Sequence, residues 1–314
     1  MPENRLFPPE GLTLHTPYTI ATLKAAQKEQ TILEAPVLRC DTAHSLHLSL
    51  GEMRGIMYRE EVVAPWISGS QRDIAVLSRV GKTVCFQILE IQTDVKGAPI
   101  AILSRKSAQE QALHYFESQL TPGMILTCRI THMETYGVFL DIGCGIIAML
   151  PIERISISRL SHPKDRFYVG QKILAAVLAI DRNTHRITMT HRELLGTWME
   201  NASYFEPGET VQGIVRSVKE YGSFIELSPN LSGLADPQNN IAPGDVVSVY
   251  IKSIHPERMK IKLQIIEKII TAEEKSKTLP LSYQITDGIL DEWIYSPPNY
   301  GKPPLKTVFK VSDL

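Results

Sequence analysis

An 85-residue repeat constrains this chain more than any other feature. Pro122-Gly123 returns as Pro207-Gly208, Tyr136-Gly137 as Tyr221-Gly222 and Phe139 as Phe224, each offset by 85 residues. A constant offset across three separate anchors marks two copies of one structural unit. After each Pro-Gly, "GMILTCRITHME" and "GETVQGIVRSVKE" place apolar residues on alternate positions, the pattern of a half-buried strand. The Tyr-Gly stretch follows as a second strand, and "IIAMLP" or "SGLAD" as a short third. "GQKILAAVLAID" and "GDVVSVYIKSI" read as long fourth strands, "RITMT" and "KIKLQ" as fifth strands. Five short strands in roughly 70 residues predict a small closed barrel.

The copies differ between the third and fourth strands. "PIERISISRLSHPKDRFYVG" in one has room for a helical turn or two, whereas the other has only "PQNNIAP". A weaker third copy lies upstream, where "ILEAPVLRCD", "HSLHLSLG", "GIMYRE", "GKTVCFQILEI" and "APIAILSRK" keep the strand order but lack Tyr-Gly-x-Phe. Two helical connectors are predicted. One buries a stripe of Ala112, Leu113, Phe116 and Leu120; the other, Leu194, Leu195, Trp198, Ala202 and Phe205. Stripes at this spacing belong to packing rather than to a cofactor. The chain is therefore expected to be mainly β, tandem five-stranded barrels joined by short helical connectors. The expected divisions are an extension at 1–29, a divergent barrel at 30–106, a connector at 107–120 and a barrel at 121–192. A connector at 193–206, a shortened barrel at 207–266 and a C-terminal extension at 267–314 complete them.

These motifs resemble a known family. Gly-x-x-Val-x-Gly-x-Val, Tyr-Gly-x-Phe, Gly-Leu, Gly-x-x-Val-x-Val and a closing Lys-Ile-x-Leu are similar to the S-one RNA-binding domain, a five-stranded OB barrel. The match is good over 121–192 and 207–265 and poor over about 30–106. "AILSRKSAQEQA" resembles the junction between modules of the bacterial small-subunit ribosomal protein S-one family, in a short three-module form. The resemblance implies single-stranded RNA on one barrel face, with bases stacked on Tyr136 and Phe139, then on Tyr221 and Phe224. It assigns a basic contact at the start of the fifth strand to Arg186 and Lys260, and an acidic one at the end of the fourth to Asp181. The histidine that many family members carry after the third strand is replaced by Pro151 and Asp236.

Net charge is −1, which excludes a protein that coats nucleic acid by charge alone. Residues 121–200 are mildly basic, with nine Lys or Arg against seven Asp or Glu. Stacking suits such a chain, because every base has a π-face and each stacked base contributes about 1–3 kcal/mol. A few cations can then hold the backbone: Arg129, Lys172, Arg182 and Arg186 in the second unit, Arg216, Lys219, Lys252, Lys260 and Lys262 in the third. Tyr136 and Phe139 are three apart, so a regular strand sends one of them to the core. Both face outward only where the backbone is distorted, and Gly137 would permit a bulge.

No catalytic constellation emerges. His185, His191 and Asp181 match no standard ligand spacing and read as turn residues. Ser158, Ser161 and His162 form no nucleophile arrangement, and there is no Gly-rich phosphate loop. Cys40, Cys85, Cys128 and Cys144 show no C-x-x-C spacing and read as buried free thiols. No apolar run approaches the ~18–20 residues of a membrane span, and "MPENRLFPPEG" has no apolar leader core, so a cytoplasmic protein is expected. "TAEEKSK" reads as a solvated helix end. The aromatic, proline-rich tail "ITDGILDEWIYSPPNYGKPPLKTVFKVSDL" reads as a hairpin against the third barrel or a partner-binding segment.

The expected function is non-enzymatic. No cofactor or metal is expected. The partners are single-stranded RNA, in particular mRNA at the small ribosomal subunit, and ribosomal proteins docking on the first module. The alternatives are a non-ribosomal RNA regulator acting in decay, transcription or stress, and an interaction scaffold without RNA.

Overall fold

The computed structural model describes residues 7–12, 17–66, 73–94, 97–270 and 279–309. "TAEEKSK" lies outside the described residues. Three closed five-stranded barrels follow one another along the chain. The first comprises β1 (Leu33–Cys40), β2 (Leu46–Ser49), β3 (Arg54–Met57), β4 (Thr83–Thr93) and β5 (Pro99–Ser104). The second comprises β6 (Ile125–Glu134), β7 (Gly137–Gly143), β8 (Ile146–Pro151), β9 (Lys172–Asp181) and β10 (Arg186–Thr190). The third comprises β11 (Thr210–Lys219), β12 (Gly222–Ser228), β13 (Leu231–Ala235), β14 (Val246–His255) and β15 (Lys260–Ile270).

Each barrel closes the same way. Its third strand runs parallel to its fifth, through Gly55↔Ala101, Met149↔Thr188 and Leu234↔Lys262, and every other pairing is antiparallel. Alternation explains the cores. In β15, Ile261, Leu263 and Ile265 point inward while Lys260, Lys262 and Gln264 face solvent. The divergent first module closes like the others although it lacks Tyr-Gly-x-Phe, because the motif is not part of its core.

Helices tie the barrels together. In the first module, α1 (Ile20–Glu29) buries Leu23 and Ala26, and α2 (Asp73–Leu77) lies between β3 and β4. The connector α3 (Arg105–Gln119) begins where Ser104 Oγ accepts the Ser107 amide (2.9 Å). It presses Ala108, Ala112, Leu113 and Phe116 into the second barrel's cluster while its other flank touches β4. The second connector departs from a single helix. A 3-10 turn (Arg192–Leu195) stops at Gly196, whose φ is +85°, and α4 (Trp198–Ala202) restarts with a Thr197/Glu200 capping box. A Cβ at Gly196 would lie 2.6 Å from Gln284 Cγ of the tail.

The tail does more than fold onto the third barrel. β16 (Glu292–Ile294) and β17 (Lys306–Val308) form a hairpin, and Trp293, Tyr295 and Phe309 enter the third barrel's cluster. The approach to the hairpin crosses the second barrel: Leu290 N–H donates to Gly123 O (3.0 Å), and Ile125 N–H to Gly288 O (3.2 Å). His191, fully buried beside it, donates Nδ1–H to Ile155 O (2.7 Å) and accepts from the Tyr283 hydroxyl at Nε2 (3.2 Å). Burial pushes the His191 pKa down to about 4, so it is neutral at pH 7. His185 is exposed and meets Glu117 of α3 (2.5 Å). Cys85, Cys128 and Cys144 are buried free thiols, and Cys40 is half-buried.

Two buried acidic residues, again 85 positions apart, sit at the barrel junctions. Asp141 on β7 accepts the Glu10 amide (2.8 Å), and the Glu10 carboxylate receives Arg105 Nε (2.6 Å) and Nη2 (2.9 Å). Glu226 on β12 accepts Arg216 Nε (2.7 Å) and also pairs with Arg166, which comes from the connection between β8 and β9. That connection, which holds two 3-10 turns (Ile152–Arg154 and Pro163–Asp165), is clamped to the third barrel. Ile157 N–H reaches Asn230 Oδ1 (3.0 Å), and the Ser158 and Ser232 hydroxyls meet (2.9 Å).

Candidate nucleic-acid interface

Both aromatic pairs face outward. Tyr136 and Tyr221 are exposed; Phe139 and Phe224 are half-buried. The ring centroids lie 6.2 Å apart in each pair, at interplanar angles of 87° and 89°. Tyrosine escapes the strand alternation because it sits in the turn before β7 or β12. The glycine after it is not a bulge. The irregularity lies on the neighbouring strand, between Ile130 and His132 on β6 and between Val215 and Ser217 on β11. Glycine is required because the next strand passes too close. A Cβ at Gly137 would fall 2.5 Å from Leu150 O, and at Gly222, 2.3 Å from Ala235 O.

Strand register extends each pair into a row, since directly paired residues share a face. In the second barrel the row is His132, Phe139, Met149 and Thr188. In the third it is Ser217, Phe224, Leu234 and Lys262. Lys262 is thus set in the row of its phenylalanine, with Lys260 two residues earlier on the same face. Arg186 stands likewise two residues before Thr188.

The sequence of the second barrel has a counterpart among known proteins. Residues 119–192 match the S1 RNA binding domain. The second barrel is thus similar to the S1 domain. The chain is 29% identical over 212 residues to small ribosomal subunit protein bS1 of Leuconostoc lactis, covering 62% of this chain and 48% of that protein. It is 26% identical over 213 residues to the bS1 homolog of Bacillus subtilis (strain 168), covering 62% and 55%. The chain spans about half the length of these curated relatives. A solved multidomain protein with nucleic acid binding domains from Streptococcus pneumoniae TIGR4 aligns over 76% of this chain and 73% of that one, at 14% identity and a TM-score of 0.25.

The cations predicted for the two S1 barrels divide into two groups. Lys172, Arg186, Lys219, Lys260 and Lys262 are exposed, with no ion pair or hydrogen bond among the described residues. The others are already engaged. Arg129 Nη1 donates to Glu10 O (2.7 Å), Arg182 Nε to Glu117 O (3.0 Å), and Lys252 Nζ pairs with Asp236 (2.9 Å). Asp181 caps its hairpin by accepting the Thr184 hydroxyl (2.6 Å) and the amides of Asn183 and Thr184. The Thr184 hydroxyl bond, above all, holds its carboxyl below the usual range. Arg216 is a correction. It stands at the irregular position of β11, is buried against Glu226 and is not an outward cation.

Two residues of the S1 surface escaped the sequence reading. The His132 ring lies 6.0 Å from Phe139 at 28°, extending that barrel's aromatic surface, and its Nε2 meets Glu134 Oε1 (2.6 Å). Alternation counted from the buried Ile130 would send His132 to the core; the irregularity at Thr131 breaks the count and turns His132 outward beside Phe139. Arg159, exposed on the β8–β9 connection, lies in a stretch that the third barrel lacks, so the repeat does not point to it.

Proposed function

We propose that this chain binds single-stranded RNA on its second and third barrels, by stacking bases in the two aromatic corners and holding the backbone with Lys172, Arg186, Lys219, Lys260 and Lys262. The observation that carries the reading is the twofold recurrence of one geometry, 6.2 Å and nearly perpendicular, between an exposed tyrosine and a half-buried phenylalanine, 85 residues apart. Perpendicular rings form a corner, not a shelf. A base flat on one ring meets the other edge-on, and bases on both rings must turn through nearly a right angle. A single strand bends that way; the parallel stack of a duplex does not.

The S1-domain match over residues 119–192 and the similarity to bS1 proteins support a cytoplasmic role in translation, with mRNA at the small ribosomal subunit as the RNA. The first barrel, without an aromatic corner, is the module for protein contact. Among the described residues, no helix is long and apolar enough to cross a membrane.

Fluorescence anisotropy of a short unstructured RNA against a duplex of equal length, at two salt concentrations, tests the reading. The Tyr136→Ala, Phe139→Ala double variant, its fold verified by circular dichroism, is expected to lose at least about tenfold in single-strand affinity, with little change in salt slope. Absence of RNA binding by the native chain would leave the scaffold alternative standing.

A further inference from the structure

The two barrel junctions hold clefts of one plan. Between the first and second barrels, a cleft of about 350 Å³ is lined by Arg79, His132, Phe139 and Asp141. Between the second and third, a cleft of about 490 Å³ is lined by Arg159, Lys219, Tyr221, Phe224, Tyr295 and Leu305. In both, one wall is the phenylalanine of an aromatic corner. The facing wall includes an arginine following the third strand of the preceding barrel, before its fourth begins.

Their electrostatics differ. The first cleft has two buried carboxylates, Glu10 and Asp141, in its wall. In the second, the acid equivalent to Asp141 is Glu226, which is covered by both Arg166 and Arg216. Arg159 and Lys219 are then left as exposed cations without ion pairs among the described residues. We propose that the cleft between the second and third barrels is a composite nucleotide pocket for single-stranded RNA: a base rests in the Tyr221–Phe224 corner, and its phosphate is held by Lys219 of the same barrel and Arg159 of the preceding one.

This proposal rests on the RNA-binding reading and adds to it a ligand from a second module. The pocket is of the size that takes a small ligand, since such sites run from ~300 to ~1,000 Å³. It is also built rather than incidental. Arg159 follows Ile157 and Ser158, both hydrogen-bonded to the third barrel, so its backbone is fixed relative to the rings. The opposite side is closed by the tail, where the Tyr295 hydroxyl donates to Asn230 O. A preorganised cation adds affinity without a further ordering cost.

The test uses the full chain and an unstructured twelve-nucleotide RNA, with affinity measured from low salt to 0.5 M. One phosphate contact on a single strand contributes about 0.7 to the slope of log K against log salt, which at 0.1 M is about fivefold in affinity. Arg159→Ala is expected to lose that fivefold and that slope with unchanged thermal unfolding, and Arg159→Lys to keep most of both. Lys164→Ala removes an equal charge from the same connection outside the cleft and is expected to have the smaller effect. Equal losses for Arg159→Ala and Lys164→Ala would mean bulk charge and overturn the pocket. So would an unchanged slope in Arg159→Ala where Tyr221→Ala, Phe224→Ala still weakens binding; RNA binding itself would then stand. No binding by the native chain would remove both.

Discussion

The junction between the second and third barrels depends on one carboxylate, and replacing it yields the sharpest prediction. Glu226 and Arg166 side chains are fully buried, and Arg216 is 6% exposed. Two guanidinium groups therefore share one acid, and Arg166 Nε and Nη1 have no hydrogen-bond partner among the described residues. Glu226→Gln keeps the shape but leaves two buried cations facing each other. Removing one partner of a buried ion pair costs about 3–5 kcal/mol. With a urea dependence of about 3 kcal/mol per molar, the unfolding midpoint should fall by roughly 1–1.7 M. Tryptophan fluorescence is the assay, because Trp198 and Trp293 both lie in the cluster at this junction. Arg216→Met should cost less than Glu226→Gln, since it removes excess positive charge and leaves Glu226 paired with Arg166. The triple variant Arg166→Met, Arg216→Met, Glu226→Leu should recover most of the loss, as buried ion networks often do when replaced by apolar groups. A midpoint shift below about 0.3 M for Glu226→Gln would refute the reasoning, because at that slope it amounts to about 1 kcal/mol and the carboxylate would not be buried between two cations.

Two further predictions concern the same scaffold. The buried His191 titrates near 4 in the folded chain against 6.5 unfolded, so between those values the unfolded state binds the extra proton and stability falls as pH drops. At 1.36 kcal/mol per pH unit the full loss is about 3 kcal/mol, and urea midpoints of the native chain and His191→Asn between pH 7.5 and 4.5 should show a steeper decline for the native chain. Gly222→Ala places a Cβ 2.3 Å from Ala235 O, so it should destabilise the third barrel by about 1–3 kcal/mol and weaken RNA binding there, read by thermal unfolding and anisotropy.

The barrels were legible because stretches such as Lys260–Ile265 of β15 alternate regularly, and because the 85-residue offset locates the same strand twice. The aromatic corners were legible as a motif but not as geometry. Spacing alone placed Tyr136 and Phe139 on opposite faces; the structure frees tyrosine from the rule by seating it in a turn. Arg216 misled for a related reason. It follows Val215 in an apparently regular strand, yet it occupies the irregular position and is drawn into the junction by Glu226. That carboxylate is ten residues away in sequence, on a strand whose pattern reads simply as apolar core. Gly196 was hidden inside an otherwise good helical stripe; its φ of +85° breaks the connector, and the incoming tail occupies the space that a Cβ would need. Nothing local in the sequence records a contact with residue 284.

The connections between third and fourth strands are unequal, and two of them reach a neighbouring barrel junction. In the first barrel this connection supplies Arg79, 4.0 Å from Glu10, whose amide is bound by Asp141 of the second barrel. In the second barrel it supplies Arg166 to Glu226 of the third, together with the backbone and hydroxyl bonds of Ile157 and Ser158. An arginine from one barrel thus meets an acid at both junctions, Glu226 on the second strand of the next barrel in one and Glu10, itself bound to Asp141, in the other. The third barrel is the last described, and there the connection shrinks to "PQNNIAP" with exposed residues. The second barrel's connection also carries Arg159 into the cleft beside the Tyr221–Phe224 corner. Docking and ligand capture are then joined in one piece of chain: a substitution that frees the β8–β9 connection from Asn230 and Ser232 must displace Arg159 as well. Stability of the junction and affinity for RNA should therefore fall together in Asn230→Ala, whereas Arg159→Ala lowers affinity alone.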